Sequence, residues 1–276
     1  MKFKIAVVQF AVKEHYPEFN IKRAEKFIKK ASASKAKIIV FPEDFITGPI
    51  EKKKELADTN NSYRNHFQTL AKKYKIDIVA GSIIEKESSG RYHNITYYID
   101  AKGEVKGKYQ KNNLWHTEKG HFTPGTEVTV CDTRYGKIGL SICWDLVYPE
   151  VYREMFKKGV DIVISPSYWC YGDAGKGLKY DKNSEINLVN AFCMSRAIEN
   201  EVIFVYCNTA EKFGKNSFKH SSFGHSQITV PFKGALKKLA HNREAMFIQE
   251  VDTNILKDVE KSYLIKHDSK HKSSPK

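Results

Sequence analysis

One cysteine stands where sulfur chemistry is possible. In Lys137-Ile-Gly-Leu-Ser-Ile-Cys143-Trp144-Asp145-Leu-Val-Tyr148-Pro149-Glu150, a strand-like run ends at Cys143 and a proline-started helix follows. A sharp strand-to-helix turn lifts a side chain out of a sheet and leaves backbone N–H groups free beside it, which suits a nucleophile and an oxyanion. Amide dipoles and a nearby cation would raise the thiolate fraction of such a cysteine. Taken alone, a cysteine is more often buried and inert. A second strand end, Ile38-Ile-Val-Phe41-Pro42-Glu43-Asp44-Phe45, sets a carboxylate directly after an apolar run. Partial desolvation there pushes Glu43 towards the working range of a general base. A third junction, Gly107-Lys108-Tyr109-Gln110-Lys111-Asn112-Asn113-Leu114-Trp115-His116-Thr117-Glu118, carries a lysine that means little by itself in a chain with 46 Lys and Arg.

Strands alternating with helices must position these three junctions, the layout of an α/β protein. Apolar runs predict strands over 4–10, 37–41, 76–82, 92–100, 128–132, 137–142, 160–165, 201–208 and 227–230. Helical spacing predicts helices over 20–34, capped by Asn20, over 62–74, from Pro149 onwards and over 184–200. The turn at Lys102-Gly103 implies an antiparallel pair, so the sheet is mixed. The aromatic loop at 168–171 and the glycine-rich stretch ending at Gly177 form a candidate pocket wall. No linker or repeat divides residues 1–260, so a single domain is expected there, followed by a basic, flexible tail over 261–276.

Five blocks, in order, resemble the nitrilase superfamily of carbon–nitrogen hydrolases over nearly the whole domain. They are Ile5-Ala-Val-Val-Gln9-Phe, Phe41-Pro42-Glu43, Tyr109-Gln-Lys111-Asn-Asn-Leu114, Cys143-Trp-Asp145 with Tyr148-Pro149-Glu150, and the late pair Val205-Tyr-Cys-Asn208 and Gly224-His225-Ser226-Gln227-Ile228. The third block has Asn113 where the family often has histidine. The resemblance implies an α-β-β-α sandwich, two mixed β-sheets covered by helices. It also implies Cys143 as nucleophile, Glu43 as general base, Lys111 as cationic partner and Glu118 as the additional glutamate. Amide hydrolysis needs a thiolate, a sink for charge on oxygen and a proton for the departing nitrogen. Glu43 can move the proton, Lys111 with the backbone N–H of Trp144 can hold the oxyanion, and Glu118 can orient the substrate nitrogen and keep Lys111 charged. Tyr148, Tyr168 and Trp169 are candidate substrate-binding residues.

The expected reaction is hydrolysis of a linear amide or N-carbamoyl group of a small molecule through a thioester, with no cofactor and no metal. Many relatives that bind carboxylate-bearing substrates have an arginine shortly after the aspartate of the cysteine block, where this chain has Leu146 and Val147, so a neutral or cationic substrate is favoured. A nitrilase is one alternative, and true nitrilases usually carry Glu where Asp145 stands. A non-catalytic binding protein on the same fold, using its basic surface, is the other. The resemblance also implies a homodimer or larger homo-oligomer.

Composition narrows the remaining classes. With 41% hydrophobic and 28% charged residues the chain can build a sizeable core. Its longest apolar runs are strand-sized, far short of the ~18 residues of a membrane span. The net charge of +14 favours polyanions, but it is scattered without an aromatic-interleaved nucleic-acid module, so nucleic acid is not an expected partner. Five cysteines in irregular spacing fit neither a disulfide framework nor a zinc site. Together with an N-terminus that lacks signal-peptide architecture, they point to the cytoplasm. The Asn60-Asn61-Ser62 and Asn94-Ile95-Thr96 sequons are read as chance, and Gly172-Asp-Ala-Gly175-Lys176-Gly177 lacks Walker spacing.

Overall fold

Every residue of the first strand, β1 (Lys2–Gln9), from Ile5 onwards is buried, on both faces of the strand. Ile5 and Val7 join a core shared with Ile138, Ile162, Ile164 and Phe204, whereas Ala6 and Val8 pack with Ala24, Ile28, Ile39 and Phe67. This period of two on a strand buried on both sides requires a layer above and a layer below. The structure, a computed structural model, describes residues 1–211, 213 and 218–271.

After β1 come α1 (Pro17–Ala33), β2 (Ile38–Val40), α2 (Ser62–Tyr74), β3 (Asp77–Val79), β4 (Ile83–Lys86), β5 (Tyr92–Ile99) and β6 (Val105–Gln110). The second half runs β7 (Thr129–Thr133), β8 (Gly136–Leu140), α3 (Pro149–Lys157), β9 (Ile162–Ser167), α4 (Ser184–Glu199), β10 (Ile203–Asn208), β11 (Gln227–Val230) and β12 (Gly234–Lys238). The last strand, β13 (Ala245–Asp252), returns to pair antiparallel with β1, and α5 (Asn254–Tyr263) and α6 (Ile265–His271) follow. Strands β1, β2 and β3 are parallel in a seven-stranded sheet, and β8, β9 and β10 are parallel in a six-stranded one. Antiparallel strands flank both trios, so the sheets are mixed. Each half thus repeats one strand–helix–strand–helix–strand order. The two sheets face each other and helices cover the outside, as the expected α-β-β-α sandwich requires.

Two local expectations need correction. Asn20 does not cap α1, which begins at Pro17; its buried amide instead donates to Lys13 O at 2.8 Å and Ile46 O at 2.9 Å. The 76–82 run is interrupted after Val79, and Ile83 starts β4. The tail expected from residue 261 is helical to His271, with Lys266 Nζ 3.9 Å from the buried Glu201; residues 272–276 lie outside the described part. No helix among the described residues is long and apolar enough to cross a membrane.

Candidate active site

The carboxyl ends of the central strands converge on one cleft of about 640 Å³. Strand β2 ends at Val40, and Pro42 turns the chain so that Glu43 is 97% buried. That turn lies so close to the segment after β3 that a Cβ at Gly81 would stand 1.9 Å from Pro42 O. Lys111 follows β6 and is 1% exposed. Cys143 opens a 3-10 turn (Cys143–Val147) after β8, in the left-handed region at φ 46° and 7% exposed. The strand-to-turn geometry read from the sequence is therefore present, with Cys143 itself held in the sparsely populated left-handed region.

Lys111 Nζ lies 2.8 Å from Glu43 Oε1 and 2.7 Å from Glu118 Oε2. Burial alone would lower this ammonium, but the Glu118 and Glu43 carboxylates hold it well above its ordinary value. Asn94 Nδ2 donates to Glu43 Oε1 at 2.9 Å and to Glu118 Oε1 at 3.0 Å, and Trp115 N–H donates to Glu118 Oε2 at 2.6 Å. The other oxygen of Glu43 accepts Tyr168 N–H at 2.9 Å. Burial raises the Glu43 carboxyl above its usual range, while Lys111 pulls it down and Glu118 pushes it up.

The expectation of an enriched thiolate is overturned. Burial first, and then the negative Glu43, hold the Cys143 thiol well above its ordinary value, and Lys111 only partly offsets them. Local amide dipoles and one cation are outweighed because that cation is already engaged by two carboxylates. At rest the pair is a thiol beside a carboxylate, so the sulfur needs a base when it reacts.

Two polar clamps position these groups. Asp145 accepts Ile142 N–H at 2.9 Å, Tyr109 O–H at 2.8 Å, and both Asn113 N–H and Asn113 Nδ2 at 2.9 Å. Asn208, at the end of β10, accepts Trp169 N–H at 2.8 Å and donates to Trp169 O at 3.1 Å and Gly224 O at 3.0 Å. Ser226 Oγ in turn accepts Asn208 N–H at 2.9 Å, and Ser226 N–H donates to Gln9 Oε1 at 3.1 Å. The late blocks seen in the sequence therefore fix the 168–170 wall rather than touch the reacting atoms.

Trp144, Tyr168 and Trp169 line the cleft, with Trp169 Nε1 donating to Glu185 Oε2 at 2.6 Å and Tyr168 O–H donating to Glu14 Oε1 at 3.0 Å. Tyr148 does not line it: as the residue before α3 it turns outward and is 36% exposed, so its proximity to Cys143 in sequence is misleading. Sequence reasoning missed Asn94, which it read only as part of a sequon. An amide in a strand otherwise built of aromatic and β-branched residues was the available signal. It also assigned nothing to Asp44, which lines the same cleft and is 7% exposed.

Comparison with known proteins agrees with this architecture. The carbon-nitrogen hydrolase family model matches residues 4–261, and the chain belongs to that family, within the nitrilase superfamily. It is 29% identical to a probable nitrilase of Schizosaccharomyces pombe over 271 residues, covering 95% of this chain and 93% of the relative. It is also 29% identical to the 2-oxoglutaramate amidase of Bacillus subtilis, covering 95% of each. A solved carbon–nitrogen hydrolase of Helicobacter pylori superposes with a TM-score of 0.86 at 24% identity, over 97% of this chain and 94% of that one.

Proposed function

We propose that this member of the carbon–nitrogen hydrolase family cleaves a linear amide or N-carbamoyl group of a small molecule by way of a thioester on Cys143. The observation that carries the reading is Lys111 held between Glu43 and Glu118 in the cleft that also contains the Cys143 thiol. Glu43 takes the thiol proton as sulfur attacks the carbonyl carbon. The carbonyl π pair moves onto oxygen, where Lys111 Nζ and the Trp144 N–H stabilise it. Trp144 is the second residue of its 3-10 turn, so its N–H belongs to the helix-start amides that lack an intrahelical acceptor. Collapse breaks the C–N bond, and the proton held by Glu43 passes to the leaving nitrogen, releasing ammonia or an amine. Water then enters, Glu43 takes its proton as the oxygen attacks the thioester carbon, the C–S bond breaks to give a carboxylic acid, and Glu43 returns the proton to the departing sulfur, restoring the thiol. Glu118, in contact with Lys111, orients the substrate nitrogen in this reading.

Intact-protein mass spectrometry during turnover of amides and ureides tests this directly. A mass increment equal to the acyl group, on wild type and absent from Cys143→Ala, supports the thioester. Ammonia release that persists in Cys143→Ala would overturn it.

A further inference from the structure

We propose that Asp44 is the seat for a cationic group of the substrate, so that the enzyme selects amides or ureides whose far end carries an ammonium. This rests on the hydrolase reading above and names its substrate class. Asp44 lies directly after Glu43 on the wall of the same cleft and is 93% buried. Its contacts are few: its N–H donates to Ser82 Oγ at 3.2 Å, Ser82 O–H donates to Oδ1 at 3.3 Å, and its carbonyl accepts Gly48 N–H at 2.7 Å. Among the described residues no donor reaches Oδ2, and no basic side chain forms an ion pair with Asp44.

The neighbouring charge sharpens this. Lys111, the buried ammonium of the cleft, is already engaged at 2.8 Å and 2.7 Å by Glu43 and Glu118. Among the described residues, the other basic side chains on the lining, Lys52 and three histidines, are exposed, and no arginine is present. Glu51 and Asp173 add further carboxyls to the wall. Burial, and then Glu43, Glu118 and Glu51, hold the Asp44 carboxyl well above its ordinary value, and Lys111 only partly offsets them. An incoming ammonium supplies a counter-charge and a hydrogen bond to Oδ2, whereas a carboxylate would add one more negative group.

Asp44 has φ 51°, a conformation that asparagine tolerates and glycine adopts freely, so Asp44→Asn and Asp44→Gly remove the charge without backbone strain. The test measures protection of Cys143 from iodoacetamide by straight-chain alkylammonium ions, alcohols and carboxylates of matched length. It is paired with kcat/KM for ω-amino and ω-hydroxy amides. Wild type should be protected by the ammonium at about tenfold lower concentration than by the alcohol, and should prefer the amino amide by about tenfold or more. Both ratios should fall to near unity in either variant. Equal protection by alcohols or carboxylates, or a preference that survives in the variants, overturns the proposal. If neither variant folds, the wild-type rank order decides. Ammonium protection without ammonia release from any amide would sink the hydrolase reading while leaving the cation seat; amide turnover without cation preference would do the reverse.

Discussion

Asp145 grips Asn113 twice, accepting its main-chain and its side-chain N–H at 2.9 Å each. The turn that begins at Cys143 is thereby tied to the strand end that delivers Lys111, although 32 residues separate the partners. Asp145→Asn presents an amino group where only acceptors fit. The expected result is loss of about 10² in kcat, with KM changed much less, because misplacing a reacting group by ~1 Å costs that much. Steady-state kinetics checks it, and an unchanged kcat would show that the clamp is not needed for the sulfur's position.

A protonated thiol beside a carboxylate predicts a distinctive pH profile. The raised Glu43 carboxyl must be ionised to accept the proton, so the acid limb of kcat/KM should fall above the usual carboxylate range. Iodoacetamide should alkylate Cys143 with the same acid limb. In Glu43→Gln that limb should vanish, turnover should drop by about 10²–10⁴, and alkylation should rise only at alkaline pH. A fast alkylation independent of Glu43 would instead mean a resting thiolate.

Lys111→Met removes the ammonium between two buried carboxylates. Because a lost partner leaves charge unpaired in the interior, unfolding free energy should fall by about 3–5 kcal/mol. Turnover should fall by about 10²–10³ through the lost oxyanion donor. Adding Glu118→Gln should restore part of the stability and none of the activity. Denaturant titration beside kinetics separates the two effects.

Glu201 makes the fold itself pH-sensitive. Burial, and then the neighbouring Glu260, push its carboxyl up to about 7, against the opposing Lys266. The fold therefore favours the protonated acid. Its contribution is fully present below the ordinary range near 4.5 and is lost as pH rises towards about 7. Glu201→Gln, neutral throughout, should match wild type at low pH and exceed it in Tm by a margin that grows up to about pH 7 and then levels off. Thermal melts across pH 4 to 8 measure the difference.

The helices and most of the strands were legible because they follow from local periodicity, and α2 (Ser62–Tyr74) coincides with its expected bounds; the layer order was legible only through the family resemblance. The ordered motifs singled out Cys143, Glu43, Lys111 and Glu118, four side chains that the fold brings to one cleft. What escaped depends on long-range approach. Asn94 bridges residues 51 and 24 positions away, and no local pattern records that meeting. The direction of the Cys143 shift was misjudged because desolvation and the Glu43 charge exist only once the cleft is assembled. Tyr148 was misplaced for the converse reason, since nearness in sequence said nothing about which way the start of α3 would turn it.

The division of labour between the two layers has one more consequence. Glu43 and Lys111 hang from one sheet, Cys143 and the Tyr168 wall from the other, so under the proposed mechanism neither owns a working fragment of the apparatus. Prising the layers apart by even a bond length silences the sulfur while each sheet keeps its own hydrogen bonds, so inactivation can precede melting and serves as an early gauge of how tightly the sandwich is shut.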